Sequence, residues 1–332
     1  QEQTEALVVI AHLRAGNFDQ AIEKGMKMLS RKPEDPAVLT LVGNVFRAAE
    51  DKTEARRYFH RALEFSTGYL PATLSLAGLE QQEGNYAKAE SLYRKILEVD
   101  PESETALLAL ARLAETRGKS QEMVDWLEKA RELGPRNIEA RVLLAEYYLR
   151  EKQTERADLL AKEAIKIGPR QSALLALQIR VMMADGRYNE ALPLLNELVT
   201  KEPESAYART LLGETYLRLG QTNDARRQLK IVLERQPYYV PALVLMADVE
   251  LQSGQPGQVL EYTSKIQEVQ PDLYIGYQLA GDAWVASENY DKAGAAYSRA
   301  WTLQPSSTLA IRRSDALLRS DKPEDALTVL LA

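Results

Sequence analysis

The sequence holds two histidines, His12 and His60, and neither has a second ligand at metal-binding spacing. A zinc or similar site needs three or four nitrogen, sulfur or carboxylate donors brought close together. There is no cysteine, so disulfides and thiolate metal sites are ruled out. No G-x-S-x-G nucleophile elbow, Walker-type phosphate loop or G-x-G-x-x-G fingerprint occurs; the glycines never follow a strand-like run. The 48 acidic side chains would form close pairs by accident on any helical surface, so paired-carboxylate catalysis cannot be read from them. The residue types predict no enzyme, no cofactor and no metal. What remains is binding.

The elements that would position a binding surface are short helices. Asn85–Pro101 (NYAKAESLYRKILEVDP) places Ala89, Tyr93 and Ile96 on one helical face, and Asp100-Pro101 stops the run. The phrase returns as GRYNEALPLLNELVTKEP ending at Pro203 and as ENYDKAGAAYSRAWTLQP ending at Pro305. Pro101 and Pro203 stand 102 residues apart, three times 34. Prolines at 33, 101, 135, 169, 203, 237, 271 and 305 mark this lattice, broken only at Thr67. With each lattice proline as position 32, position 8 is small (Gly43, Ala77, Ala111, Ala145, Gly213, Ala247, Gly281), except for Ile179. Position 15 is Gly16, Gly84, Gly118, Gly186, Gly220 and Gly254, with Glu50, Lys152 and Glu288 as departures. Position 20 is mostly alanine, and position 24 carries bulk such as Phe59, Leu229 or Tyr297.

A helix–turn–helix unit of 34 residues with this punctuation resembles the tetratricopeptide repeat family over the whole length. The resemblance implies an all-α fold, a right-handed α-solenoid (superhelix) of about ten 34-residue units, residues 1–332 forming one continuous array. Units open near residues 2, 36, 70, 104, 138, 172, 206, 240 and 274; a truncated tenth from about 308 shows a one-residue slip and lacks most of its second helix. Gly254-Gln255-Pro256-Gly257 reads as the loosest turn, and Pro193 as a site of slight kinking. The chain opens at Gln1 without methionine and stops at Leu330-Leu331-Ala332 inside an apolar phrase, so it reads as a segment of a longer protein. Uncapped ends of such an array could self-associate.

Net charge is −6, which argues against a nucleic-acid or anionic-membrane surface, and no run of eighteen apolar residues could insert in a membrane. The family resemblance implies a protein or peptide partner in a concave groove lined by positions 2, 5, 9, 12 and 13. Carried onto this chain, position 9 gives Asn44, Gly78, Arg112, Glu146, Arg180, Glu214, Asp248 and Asp282. Two readings of that track stay open: a ladder of salt bridges between neighbouring units, or a polar rail gripping a peptide. Beside it lie Leu108, Val142, Leu149, Met183, Leu217, Val244, Leu251 and Val285, the cations Arg150 and Arg218, and Tyr207 as an aromatic anchor. Family members that hold chaperone tails use a Lys–Asn–Arg carboxylate clamp. Asn44 matches one place, but Thr40, Pro71, Ser75 and Ala109 do not, so heat-shock chaperone tails are not expected as ligands.

A narrower likeness rests on AHLRAGNFDQAI (Ala11–Ile22), LARLAETRGKSQEMVDWLEKAREL (Leu110–Leu133) and LAIRRSDALLRSDKPEDAL (Leu309–Leu327). These phrases are similar to tetratricopeptide lipoproteins of bacterial exosortase (PEP-CTERM) systems; scaffolds of alginate, cellulose and Pel export look broadly alike. That likeness implies a cell-envelope or periplasmic scaffold for exopolysaccharide production or surface-protein sorting, lipid-anchored through residues upstream of Gln1. The alternatives are a cytoplasmic adaptor or regulator, and the targeting arm of an enzyme whose catalytic domain lies elsewhere.

Overall fold

A computed structural model of the chain describes residues 2–169 and 171–331; Gln1 and Ala332, where the segment's two ends were read, lie outside them. Among the described residues there are twenty α-helices and no strand. The first helices of the pairs are α1 (Glu2–Arg14), α3 (Pro36–Ala48), α5 (Leu70–Gln82), α7 (Glu104–Thr116), α9 (Ile138–Arg150), α11 (Ser172–Ala184), α13 (Ala206–Arg218), α15 (Val240–Gln252), α17 (Tyr274–Ala286) and α19 (Ser307–Arg319). Their partners are α2 (Phe18–Arg31), α4 (Lys52–Phe65), α6 (Tyr86–Val99), α8 (Ser120–Leu133), α10 (Thr154–Ile167), α12 (Tyr188–Lys201), α14 (Thr222–Arg235), α16 (Pro256–Val269), α18 (Tyr290–Leu303) and α20 (Pro323–Leu331).

The turn inside each pair is set by one residue. Gly16, Gly84, Gly118, Gly186, Gly220 and Gly254 all take φ between 67° and 77°. The left-handed residue lets the next amide reach back five residues, as Asn17 N does to His12 O at 2.9 Å and Asn85 N to Glu80 O at 2.8 Å, closing a Schellman-type cap. Gly254–Gly257 is not a looser joint. Gln255 N bonds Glu250 O at 2.9 Å like its counterparts, and Pro256 is the first residue of α16, where a missing N–H costs little. Helix α12 likewise runs unbroken through Pro193.

Glu50, Lys152 and Glu288 take the same left-handed conformation, at φ 62°, 58° and 56°. A Cβ there costs about 1–2 kcal/mol, against about 0.5–1 kcal/mol of extra chain entropy if glycine replaces it. Each single change to glycine should therefore stabilise the chain by about 0.5–1 kcal/mol. Denaturant melts of the three variants check this; a lowered midpoint contradicts it.

Helix contacts divide the chain into two compact bodies, Gln1–Glu151 with Leu159–Gly168, and Lys152–Asp158 with Pro169–Ala332. Within each body consecutive helices pack in a solenoid stack, and neighbouring first helices also touch: α1, α3 and α5 in the first body, α13, α15 and α17 in the second. The cores are built at positions 8, 20 and 24. Ala21, Ala55, Ala89, Ala191, Ala225 and Ala293 are wholly buried. A Cβ built on Gly43 would stand 2.5 Å from the Phe59 ring, one on Gly281 2.5 Å from Tyr297, and one on Gly213 2.9 Å from Leu229. Position 8 is small because position 24 of the same pair lies directly over it.

Only Gln304, Pro305 and Ser306 separate α18 from α19, against four residues from Gln270 to Leu273 ahead of α17, so the register slip sits in this linker. Ser306 caps α19 by accepting from Leu309 N at 3.3 Å. Helix α20 is nine residues long where its counterparts have fourteen, more of the second helix than the sequence led us to expect.

Candidate functional site

The residues nominated from the sequence fall on the faces of the first helices, in both bodies. In the first body Asn44 is half-buried on α3. Arg112 on α7 is exposed and ion-pairs with Glu139, on the first turn of α9. Arg150, at the end of α9, reaches back to Glu115 on α7 at 3.1 Å. Glu146 joins Arg112, Glu115 and Arg150 around a shallow pocket of about 30 Å³, room for one water-sized group. Arg112, at position 9, thus pairs with position 2 of the next unit, and Arg150, at position 13, with position 12 of the preceding one; neither pair joins two residues of the track. Both guanidiniums are 61% exposed, so each pair stabilises the fold by no more than about 0–1 kcal/mol.

In the second body Arg180 on α11 is exposed and Met183 is half-buried against the cluster around Leu195. Tyr207, in the first turn of α13, is 44% exposed. Glu214, Asp248 and Asp282 stand in a row on α13, α15 and α17. Each has a different environment. Glu214 lies 3.8 Å from Arg218 of its own helix. Asp282 is taken up internally: Tyr297 Oη donates to it at 2.6 Å and Arg312 of α19 ion-pairs with it. Burial, then the bond to Asp282, raises the Tyr297 phenol far above its ordinary range. Asp248 is half-buried, and among the described residues it has no hydrogen bond or ion pair. Burial raises its carboxyl pKa; Arg218 lowers it, and Asp282 and Glu214 raise it again.

The apolar stripe needs correction. Leu217 is not on the surface: it is 8% exposed and packs with Ala225, Leu229 and Val232, because position 12 of α13 turns toward α14 and α15. Leu108, Val142, Leu149, Met183, Val244, Leu251 and Val285 are half-buried. Thr40, where the chaperone clamp requires a cation, is buried with its hydroxyl donating to Pro36 O at 2.6 Å.

The sequence reading missed a pair of half-buried ion bridges between neighbouring helix pairs. Arg56 Nε donates to Glu80 at 2.8 Å, and Arg226 Nε to Glu250 at 2.8 Å. The signal was present: Ala-Arg-Arg at 55–57 and 225–227, each followed by a glutamate in the next first helix, five repeat lengths apart.

An array of helix pairs that presents a mixed polar and apolar row on its first helices is the architecture of a protein-binding solenoid. Tetratricopeptide repeat family models match residues 9–69, 70–113 and 182–237. Among solved structures the chain is similar to a tetratricopeptide repeat protein of Parabacteroides merdae, at 14% identity and TM-score 0.57, over 75% of this chain and 98% of that one. It is also similar to yeast Tom70, at 14% identity and TM-score 0.56, over 99% and 91% of the two chains. At that identity the likeness is one of fold. A curated relative, the uncharacterized protein ycf37 of Porphyra purpurea, is 31% identical over 75 residues, 21% of this chain; the match spans 43% of that protein's length. These matches support the tetratricopeptide repeat family, and the repeats indicate a protein–protein interaction scaffold of a fold typical of non-catalytic proteins. No helix among the described residues is long and apolar enough to cross a membrane.

Proposed function

We propose that the chain binds an extended or helical segment of a partner protein along the first-helix face, and that in the second body this segment carries lysine or arginine. Asp248 carries the reading. A partly desolvated carboxylate with no donor costs the fold free energy, and a partner that supplies a cation or amide repays the cost on binding. Glu214 and Asp282 flank Asp248, each already paired with an arginine, while exposed Tyr207 and half-buried Val244 and Leu251 offer apolar contact. That combination suits a peptide better than a bare polyanion.

The setting we propose is a bacterial cell envelope, in exopolysaccharide production or surface-protein sorting, with lipid anchoring by sequence upstream. The phrases at 11–22, 110–133 and 309–327 support it. Affinity capture from membrane and soluble fractions, with wild type beside a Glu214→Lys/Asp248→Lys array, tests both parts. Envelope proteins retained by the wild type and lost from the variant are the expected result. Equal capture on both arrays overturns the site; purely cytosolic partners lost from the variant keep the site and replace the envelope setting with a cytoplasmic adaptor.

A further inference from the structure

A cavity of about 420 Å³ opens between the first two helix pairs, walled by Ala6 of α1, Met28 of α2 and Ala37, Val38 and Leu41 of α3. That size lies within the ordinary range of ligand sites. Comparison with the two junctions that carry a tyrosine shows what the place can hold. The residue just ahead of α5 is Tyr69 and that ahead of α15 is Tyr239. Tyr69 packs on a cluster containing Ala62 and Ala72, and Tyr239 on one containing Val232 and Ala242. Those four are the repeat equivalents of Met28 and Val38. Ahead of α3 the same place holds Asp35, whose carboxylate turns back to accept from Ala37 N at 2.9 Å and Val38 N at 3.4 Å. It caps the helix and leaves the ring's place unfilled.

The rim charges pair off. Arg31 holds Glu5 through two bonds, at 3.1 and 2.5 Å, and Lys32 lies 3.8 Å from Asp35. A charged ligand meets no net opposite charge there, whereas an uncharged ring gains apolar contact and has polar groups within reach of a hydroxyl.

We propose that this cavity is a seat for an aromatic side chain, tyrosine or phenylalanine, presented by a partner protein. The seat stands on the packing above; only the source of the ring rests on the scaffold reading, and the test separates the two. The probe is p-cresol, the tyrosine side-chain analogue, titrated into the full chain labelled at its six methionine methyls. The Met28 resonance should shift saturably while those of Met123, Met182, Met183 and Met246 stay in place. The aliphatic analogue 3-methylbutan-1-ol should bind at least about fivefold more weakly. Ala6→Phe fills the cavity without touching the α3 cap, and Asp35→Tyr restores the chain's own ring; each should weaken p-cresol by about tenfold or more. An unmoved Met28 up to the solubility limit, equal affinity for the aliphatic alcohol, or an undiminished response in Ala6→Phe overturns the seat. Partner capture unaltered by Asp35→Tyr overturns the partner as the source of the ring.

Discussion

Gly43→Leu should destabilise the second helix pair by about 3 kcal/mol, and a smaller residue at position 59 should rescue it in part. The Cβ alone would lie 2.5 Å from Cε1 and 2.7 Å from Cδ1 of Phe59. Phe59 is wholly buried among Ala55, Leu76 and Leu79, so its ring has no open space to enter and the helices must part. Higher helix propensity returns about 1 kcal/mol for any residue replacing glycine, too little to offset overpacking by a whole leucine. The repeat itself supplies the rescue: in α7 and α8 the same two positions hold Ala111 and Leu127, both buried. Gly43→Ala combined with Phe59→Leu should therefore be more stable than the sum of the single changes, with a coupling of about 1–2 kcal/mol. Gly281 under Tyr297 should behave alike, whereas Gly213 meets the more pliable Leu229 at 2.9 Å and should be milder. Denaturant midpoints of the singles and the double close the cycle; strict additivity would show that positions 8 and 24 do not press on each other.

The turns were legible because one residue sets each of them. A left-handed φ is cheap only for glycine, so Gly16, Gly84 and Gly220 announce a helix end in any context. Even Glu50, Lys152 and Glu288 betray their turns, since the register puts them where the other pairs have glycine. Side-chain destinations were less legible. Leu217 was assigned to a groove by its position in the unit, but a helix only 13 residues long shares its face between a ligand surface and two neighbours, and a small rotation decides which side a position joins. The track at position 9 shows the same limit. Arg112 found a glutamate at another position, Asp282 a tyrosine and an arginine, and Asp248, among the described residues, no partner; a 34-residue spacing equates all three. The empty seat beside Asp35 was invisible for a different reason. A missing ring leaves no residue to read, and only the fold shows that Tyr69 and Tyr239 fill places that Asp35 does not. The division into two bodies has no sequence mark either, since the register runs evenly through Pro135, Pro169 and Pro203.

Glu80→Ala should cost about 2–3 kcal/mol at neutral pH, more than any exposed ion pair of this chain could explain. Its carboxylate is 4% exposed and accepts from Arg56 Nε and Asn85 Nδ2, both at 2.8 Å, tying α4 to α5 and to the turn ahead of α6. Truncation strands Arg56, a guanidinium 31% exposed; its remaining bond to Glu83 and its partial access to water hold the loss below the 3–5 kcal/mol of a fully buried broken pair. Replacing both partners, as Arg56→Leu with Glu80→Leu, should be far less costly, because no charge is then left without a mate. The pH dependence separates this account from simple loss of packing. Burial raises the Glu80 carboxyl, but the hydrogen bonds from Arg56 and Asn85 outweigh it and hold its pKa below the ordinary value. The unfolded chain then binds the proton more readily than the folded one. The stabilisation is therefore complete above the ordinary glutamate range and is lost as pH falls through the lower folded value. Denaturant melts of wild type and Glu80→Gln from neutral pH into acid should show a gap that narrows as the wild-type carboxylate protonates. A gap constant with pH would mean that the shape of the side chain, and not its charge, joins the two helix pairs. Glu250 forms the corresponding bridge in the second body, accepting from Arg226 at 2.8 and 3.1 Å, and single truncation beside the double leucine replacement there tests the cost of a stranded charge in a second setting.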